Sequence, residues 1–157
     1  MIRQASPAAK HLISRFEGTR LSPYVCPAGK WTVGVGHRLY SKDVVSGLHF
    51  DGHKWIGTIT QDTCDRLLLA DMTIAGNAVN ELVKVPLTQN QFDALVSFVL
   101  NVGRDAFNGS TLLRELNQKH YLTAAQELPR WCHDDHGNIL RGLLTRRETE
   151  QDLFNKN

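Results

Sequence analysis

The chain has 157 residues, 41% of them hydrophobic and 22% charged, with 18 Lys and Arg against 16 Asp and Glu for a formal net charge of +2. That length is enough for one domain with its own core, and the composition excludes a disordered, collagenous or disulfide-stapled chain. The near balance of charge excludes a nucleic-acid binder, and Cys26, Cys64 and Cys132 are too few and too scattered for a disulfide framework.

In chain order, residues 8–17 carry Ala9, Ile13 and Phe16 at helical spacing and stop at Gly18, a left-handed terminator, so Glu17 is expected in the last turn of a first helix. From Thr19 to about Ile59 the helical period is lost and Gly, Pro, Ser and aromatic residues dominate. The alternating run from Trp31 to Gly36 predicts a small sheet with long turns. Thr60 is the expected N-cap of a long helix with Leu68, Met72, Ala75, Val79 and Leu82 on one face, which Pro86 should end. Thr88 and Gln91 form a capping box before a segment apolar nearly all round, from Phe92 to Val102, which belongs at the centre of a helical lobe. Short helical pieces follow at about 110–119 and 122–128, and Leu143 to Phe154 closes the chain. Arg146 and Arg147, with Glu148, Glu150 and Asp152 just after, read as a solvated helix face. The fold class is therefore α+β: one domain with a β-rich lobe at 18–59 inserted between residues 1–17 and 60–157 of a helical lobe. The N-terminal residues show neither the apolar core of a secretory signal nor a membrane span, so synthesis in the cytoplasm and no stable membrane insertion are expected.

Glu17 is the first candidate for chemistry. At a helix C-terminus the unpaired carbonyls and the macrodipole disfavour a carboxylate, which favours the protonated form that general-acid cleavage of a glycosidic bond requires. A glutamate at a helix end is equally an ordinary solvated residue. Alternation over 31–36 puts Trp31, Val33 and Val35 on one face and Thr32, Gly34 and Gly36 on the other. The almost bare second face suggests close approach of something bulky, such as a polymer, or else a bulge or tight turn.

The segment EGTRLSPYVCPAGKWTVGVGH, from Glu17 to His37, resembles the active-site stretch of the phage-type lysozymes, lambdoid-phage-like members of glycoside hydrolase family 24. The family pattern of Glu, eight residues, Asp or Cys, five residues, Thr and a closing Gly-x-Gly-His is met by Glu17, Cys26, Thr32, Gly34, Gly36 and His37. The likeness continues through residues 86–103, 107–117 and 141–154, so it spans most of the chain in order.

The resemblance implies a lysozyme-like fold with a cleft between the lobes, and an endolysin that hydrolyses the β-1,4 bond between N-acetylmuramic acid and N-acetylglucosamine in peptidoglycan. It makes Glu17 the general acid, with Cys26 and Thr32 positioning or activating water. Many relatives have Asp where this chain has Cys26. A thiolate could polarise the water, the thiol could merely fill space, or the sulfur could attack the sugar directly. A free thiol there would also make activity sensitive to oxidation or to a bond with Cys64 or Cys132. Gly34, Gly36, Asn101, Ser110 and Thr111 match positions expected to line the glycan site, although Asn-x-Gly and Gly-Ser are also ordinary helix-end chemistry. His37 is expected to pair with Asp71, suggested by the family's layout, and so to tether lobe to lobe.

A non-catalytic glycan-binding or regulatory module on the same fold is the main rival, with Cys26 marking lost chemistry. A thiol hydrolase using Cys26 and His37 is another, weakened by the expected opposite exposure of His37 and Thr32. A zinc site from Cys26, His37, His49, His53 and Cys64 lacks the clustered spacing of zinc modules, so neither metal nor cofactor is assigned. The expected partners are glycan strands and, indirectly, a holin that opens the membrane so that a monomeric enzyme can act in the periplasm.

Overall fold

The computed structural model describes residues 2–156. In chain order it has α1 (Pro7–Glu17), β1 (Arg20–Val25), β2 (Trp31–Gly34), β3 (His37–Arg38), β4 (Leu48–Phe50), β5 (Trp55–Gly57), α2 (Gln61–Leu82), α3 (Gln89–Val102), α4 (Arg104–Asn108), α5 (Thr111–Asn117), α6 (Tyr121–Glu127), a 3₁₀ turn at Leu128–Arg130, and α7 (Arg141–Phe154). The class is α+β. The described chain divides into two compact units, Ile13–Asp71 and the remainder, with the divisions falling inside α1 and α2.

The Ile13–Asp71 unit opens on the end of α1. There Gly18 adopts φ +69° and its N–H donates to Ser14, closing the last turn and leaving Glu17 as the final helical residue. An antiparallel sheet follows in the order β1-β2-β3, with an irregularity between Arg20 and Tyr24, and β4 and β5 form a separate antiparallel pair. The alternating run does not continue to Gly36. Gly34 and Gly36 take φ +66° and +67°, which ends β2 and folds the chain back, so that His37 pairs with Val33 and Arg38 with Thr32. Both faces of β2 are covered, since Thr32, Val33 and Gly34 are all buried. Thr60 caps α2 as expected, its hydroxyl accepting from the Thr63 N–H at 3.1 Å.

In the other unit, α2 ends at Leu82, four residues before Pro86. The side chain of Asn117 is the stop: its Nδ2 donates to the Leu82 carbonyl at 3.1 Å and its Oδ1 accepts from the Lys84 N–H at 2.8 Å. A distant amide thus satisfies a helix end that local proline chemistry was expected to close. Both halves of the Thr88–Gln91 capping box are present, and every residue from Phe92 to Val99 is buried. Two of these are polar. Asp93 accepts from the Ser6 N–H at 2.9 Å and from the Ser6 hydroxyl, while Ser97 donates to Glu150 Oε1 at 2.7 Å.

That last bond belongs to a cluster which corrects the expected solvated face of α7. Arg146, Arg147 and Glu150 are buried, with Arg146 Nε 3.3 Å from Glu150 Oε1 and Arg147 Nε 3.0 Å from Glu150 Oε2. Spacings of three and four residues put Glu150 on the same helix face as both arginines, and that face lies against α3. Three ionic groups can share a dry site because the pairing offsets part of their desolvation cost. Burial still dominates at Glu150, pushing its carboxyl above the ordinary range against the pull of the two arginines and Ser97.

Candidate active site

Glu17, Tyr24, Cys26, Thr32, Gly34, Gly36, His37 and Asp71 all lie in the Ile13–Asp71 unit. The β1–β2 hairpin does most of the gathering, because its register sets Tyr24 directly opposite Thr32 and Val25 opposite Trp31. The turn that joins the strands places Cys26 at its mouth: the Cys26 N–H donates to the Lys30 carbonyl at 2.9 Å and the Gly29 N–H donates to the Cys26 carbonyl at 2.8 Å.

Gly36 fixes the surroundings of Glu17. A β-carbon built on Gly36 would stand 2.5 Å from Glu17 Oε2 and 2.8 Å from its Cδ, so the carboxyl rests against bare backbone. Gly34 is buried, and the space beside its Cα belongs to Cys64 Sγ and Ile59. The space bared by these two glycines is met by atoms of the chain itself, at the tight turn that was the alternative expectation.

Two opposed effects act on the Cys26 thiol. Burial pushes its pKa up, but hydrogen bonds from the backbone of Lys30 and Ala28 and from the Thr32 side chain outweigh it and bring the thiol below its ordinary value. Thr32 has one hydroxyl hydrogen and two claimants for it, because its Oγ1 also donates to the Lys30 carbonyl at 2.9 Å. Ionising the sulfur draws that hydrogen towards Cys26; with a neutral thiol it stays on Lys30.

Tyr24 was absent from the sequence-based candidates. Burial raises its phenol pKa, the charges of Glu17 and Cys26 raise it further, and Arg20, whose guanidinium lies 4.1 Å from the ring centroid, opposes them. Tyr24 is thus within electrostatic reach of both Glu17 and Cys26. Its position two residues before Cys26 in an extended segment was the available signal.

His37 Nδ1 lies 2.8 Å from Asp71 Oδ2, which joins the β2–β3 hairpin to the first half of α2 within one unit. The hydrogen bond to Asp71 raises the histidine pKa, with burial opposing it. Hairpin register, not continued alternation, sets His37 beside Val33 and Thr32 beside Arg38 on opposite faces. His37 is not among the groups that shift the Cys26 thiol, and its Nδ1 is engaged by Asp71. Among the described residues no group of three or more His, Cys, Asp or Glu could hold a metal ion, and none of the three cysteines forms a disulfide.

The remaining candidates lie in the other unit. Asn101, exposed in the last turn of α3, accepts from Arg147 Nη2 at 3.0 Å. Ser110 is buried as the N-cap of α5, its hydroxyl donating to the Phe107 carbonyl at 2.7 Å and accepting from the Leu113 N–H at 3.1 Å. The cap uses the hydroxyl hydrogen and one lone pair of Ser110, which leaves one lone pair for the sugar contact expected there. Thr111, the first residue of α5, is half-buried.

Comparison with known proteins decides the affiliation. The family model described as phage lysozyme matches residues 14–150. The chain belongs to the phage lysozyme family. It is 40% identical over 148 residues to an endolysin of Acyrthosiphon pisum secondary endosymbiont phage 1, covering 91% of this chain and 92% of that one. It is 42% identical over 154 residues to an endolysin of Bacillus phage PZA, covering 97% of this chain but only 55% of that longer relative. Among solved structures, the muramidase domain of SpmX from Asticaccaulis excentricus superposes with a TM-score of 0.82 at 36% identity, covering 99% of this chain and 100% of the other. Family membership makes the chain a glycoside hydrolase of the lysozyme type, acting on peptidoglycan.

Proposed function

We propose that the enzyme is an endolysin cleaving the β-1,4 bond between N-acetylmuramic acid and N-acetylglucosamine, with Glu17 as the general acid. The observation that carries this reading is the packing of the Glu17 carboxyl on Gly36, beside a hairpin that presents Tyr24, Cys26 and Thr32. Glu17 gives its proton to the leaving glycosidic oxygen as the bond to the anomeric carbon breaks. A water positioned by the Thr32 oxygen adds to that carbon. Its proton passes to Cys26 as thiolate, the form that the Lys30, Ala28 and Thr32 hydrogen bonds favour. Cys26 thus takes the general-base place that a carboxylate would fill.

Asn101 and Thr111 are the polar side chains we assign to contacts with sugar hydroxyl and acetyl groups. His37 and Asp71 hold the hairpin to α2 and touch no substrate. The action of the enzyme belongs at the cell wall, where its substrate is; no described helix is long and apolar enough to cross a membrane. Passage to the wall through a lesion made by a holin, and action as a monomer, complete the proposal. Digests of purified peptidoglycan, reduced with borohydride, test the bond assignment. Muramitol as the sole labelled end agrees with it, and glucosaminitol contradicts it. Lysis on expression with a holin but not without one, and a monomer mass by light scattering, test the other two statements.

A further inference from the structure

Buried Arg147 is held on several sides. Its Nε is 3.0 Å and its Nη2 3.1 Å from the Glu150 carboxylate, and its guanidinium lies 4.9 Å from the centroid of the Phe98 ring. An arginine fixed by a carboxylate and by an aromatic face has little freedom left. Its Nη2 also reaches Asn101 at 3.0 Å, and this contact has only one possible polarity. A guanidinium has donors and no acceptor, so the amide oxygen of Asn101 must face it and the NH₂ must turn away. The usual ambiguity between amide oxygen and nitrogen is absent here. Asn101 is itself exposed, so two N–H donors are displayed to solvent from a rigid support at the end of α3.

We infer that Arg147 is a positioning residue which sets Asn101 to bind glycan as a hydrogen-bond donor, and that the group it takes is an acceptor oxygen, which the N-acetyl carbonyls of a peptidoglycan strand supply. This rests on the reading of the chain as a glycan hydrolase, and it adds a polarity that the presence of an asparagine does not supply. A free asparagine amide could donate or accept. One locked by Arg147 can only donate.

Asn101→Asp separates the two faces of the amide with a nearly isosteric change. The new carboxylate keeps an oxygen towards Arg147 and makes that bond charge-assisted, so the melting temperature is expected to hold or rise. The outward donor becomes an acceptor, so binding to an acceptor oxygen is expected to weaken about tenfold, in line with a lost hydrogen bond and an opposed lone pair. Asn101→Ala loses both faces, and both stability and binding should fall. Binding to purified peptidoglycan strands is measured in a Glu17→Gln background, so that the result does not depend on which residue is the acid. It is repeated at 0.5 M salt, where a purely long-range charge effect disappears and a lost hydrogen bond does not. In the Glu17-intact enzyme the effect should sit in KM, with kcat changed less than twofold, and the preference for N-acetylated over chemically N-deacetylated strands should shrink. Wild-type affinity in Asn101→Asp at high salt, or a lower melting temperature for that variant, overturns the inference. Failure of Glu17→Gln to abolish hydrolysis would overturn the acid assignment alone and leave this one standing.

Discussion

Glu17 and Gly36 occupy each other's space: the carboxyl oxygen of one sits 2.5 Å from where the other's β-carbon would be. Gly36→Ala must therefore displace the proposed acid, and at φ +67° it also carries the left-handed strain of an L-residue, about 1–2 kcal/mol. We expect activity to fall by about a hundredfold, the scale set by an ångström of misplacement. In a Glu17→Ala background the β-carbon has room, and the stability loss from Gly36→Ala should shrink to the strain alone. A loss equally large in both backgrounds, read from denaturant midpoints, would show that the two residues do not meet.

Cys26 should alkylate with iodoacetamide at a rate whose pH midpoint lies below 9.0, the thiol's ordinary value. Thr32→Val removes one of the hydrogen bonds favouring the thiolate and should move the midpoint back upward. Activity should drop at least tenfold in Cys26→Ala and survive in Cys26→Asp. Full activity in Cys26→Ala would reduce the sulfur to a space-filler, and full activity after mild peroxide treatment would remove any redox sensitivity at this site.

Hydrogen bonding to Asp71 raises the folded-state pKa of His37 above 6.5. The stability this contributes is fully present below pH 6.5, where even the unfolded chain holds the proton, and is lost as pH rises through the folded value. Melting temperature should therefore decline over that window by a few degrees, the scale of about 1 kcal/mol for a half-buried charge-assisted bond. His37→Asn should flatten the decline and lower the melting temperature at pH 5.5. An unchanged pH profile in the variant would mean that the pair carries no such load.

Ser110→Ala removes the cap of α5 and should cost about 1 kcal/mol. Its KM for peptidoglycan should move less than that of Thr111→Ala, the neighbour assigned to the glycan. The reverse order would return Ser110 to the sugar-binding surface.

Much of this was legible in the residues. Gly18 as a terminator, Thr60 and Thr88 as caps, and the apolar girdle of α3 are local or periodic signals, and local chemistry decided them. The end of α2 was not legible, because the group that stops it, Asn117, is 35 residues away from Leu82. Arg146 and Arg147 were misjudged for a related reason: charge spacing along a helix is the same whether the face is wet or dry, and only α3 opposite decides. At the site, the motif picked out Glu17, Cys26 and Thr32, while strand alternation left the bareness of Gly34 and Gly36 open between a bulky ligand and a bulge or tight turn. Cys64 and Glu17 occupy those spaces. Tyr24 was overlooked because a tyrosine in a strand carries no chemical flag until its partner across the sheet is known.

The most direct test of the account is release of reducing sugar ends from purified peptidoglycan by wild type and by Glu17→Gln, both shown to be folded by matching melting curves. The account predicts that wild type releases N-acetylmuramic acid ends and that Glu17→Gln loses at least a thousandfold in rate while still binding the strands. Release by Glu17→Gln within tenfold of wild type would contradict it, and the proton would have to come from another group.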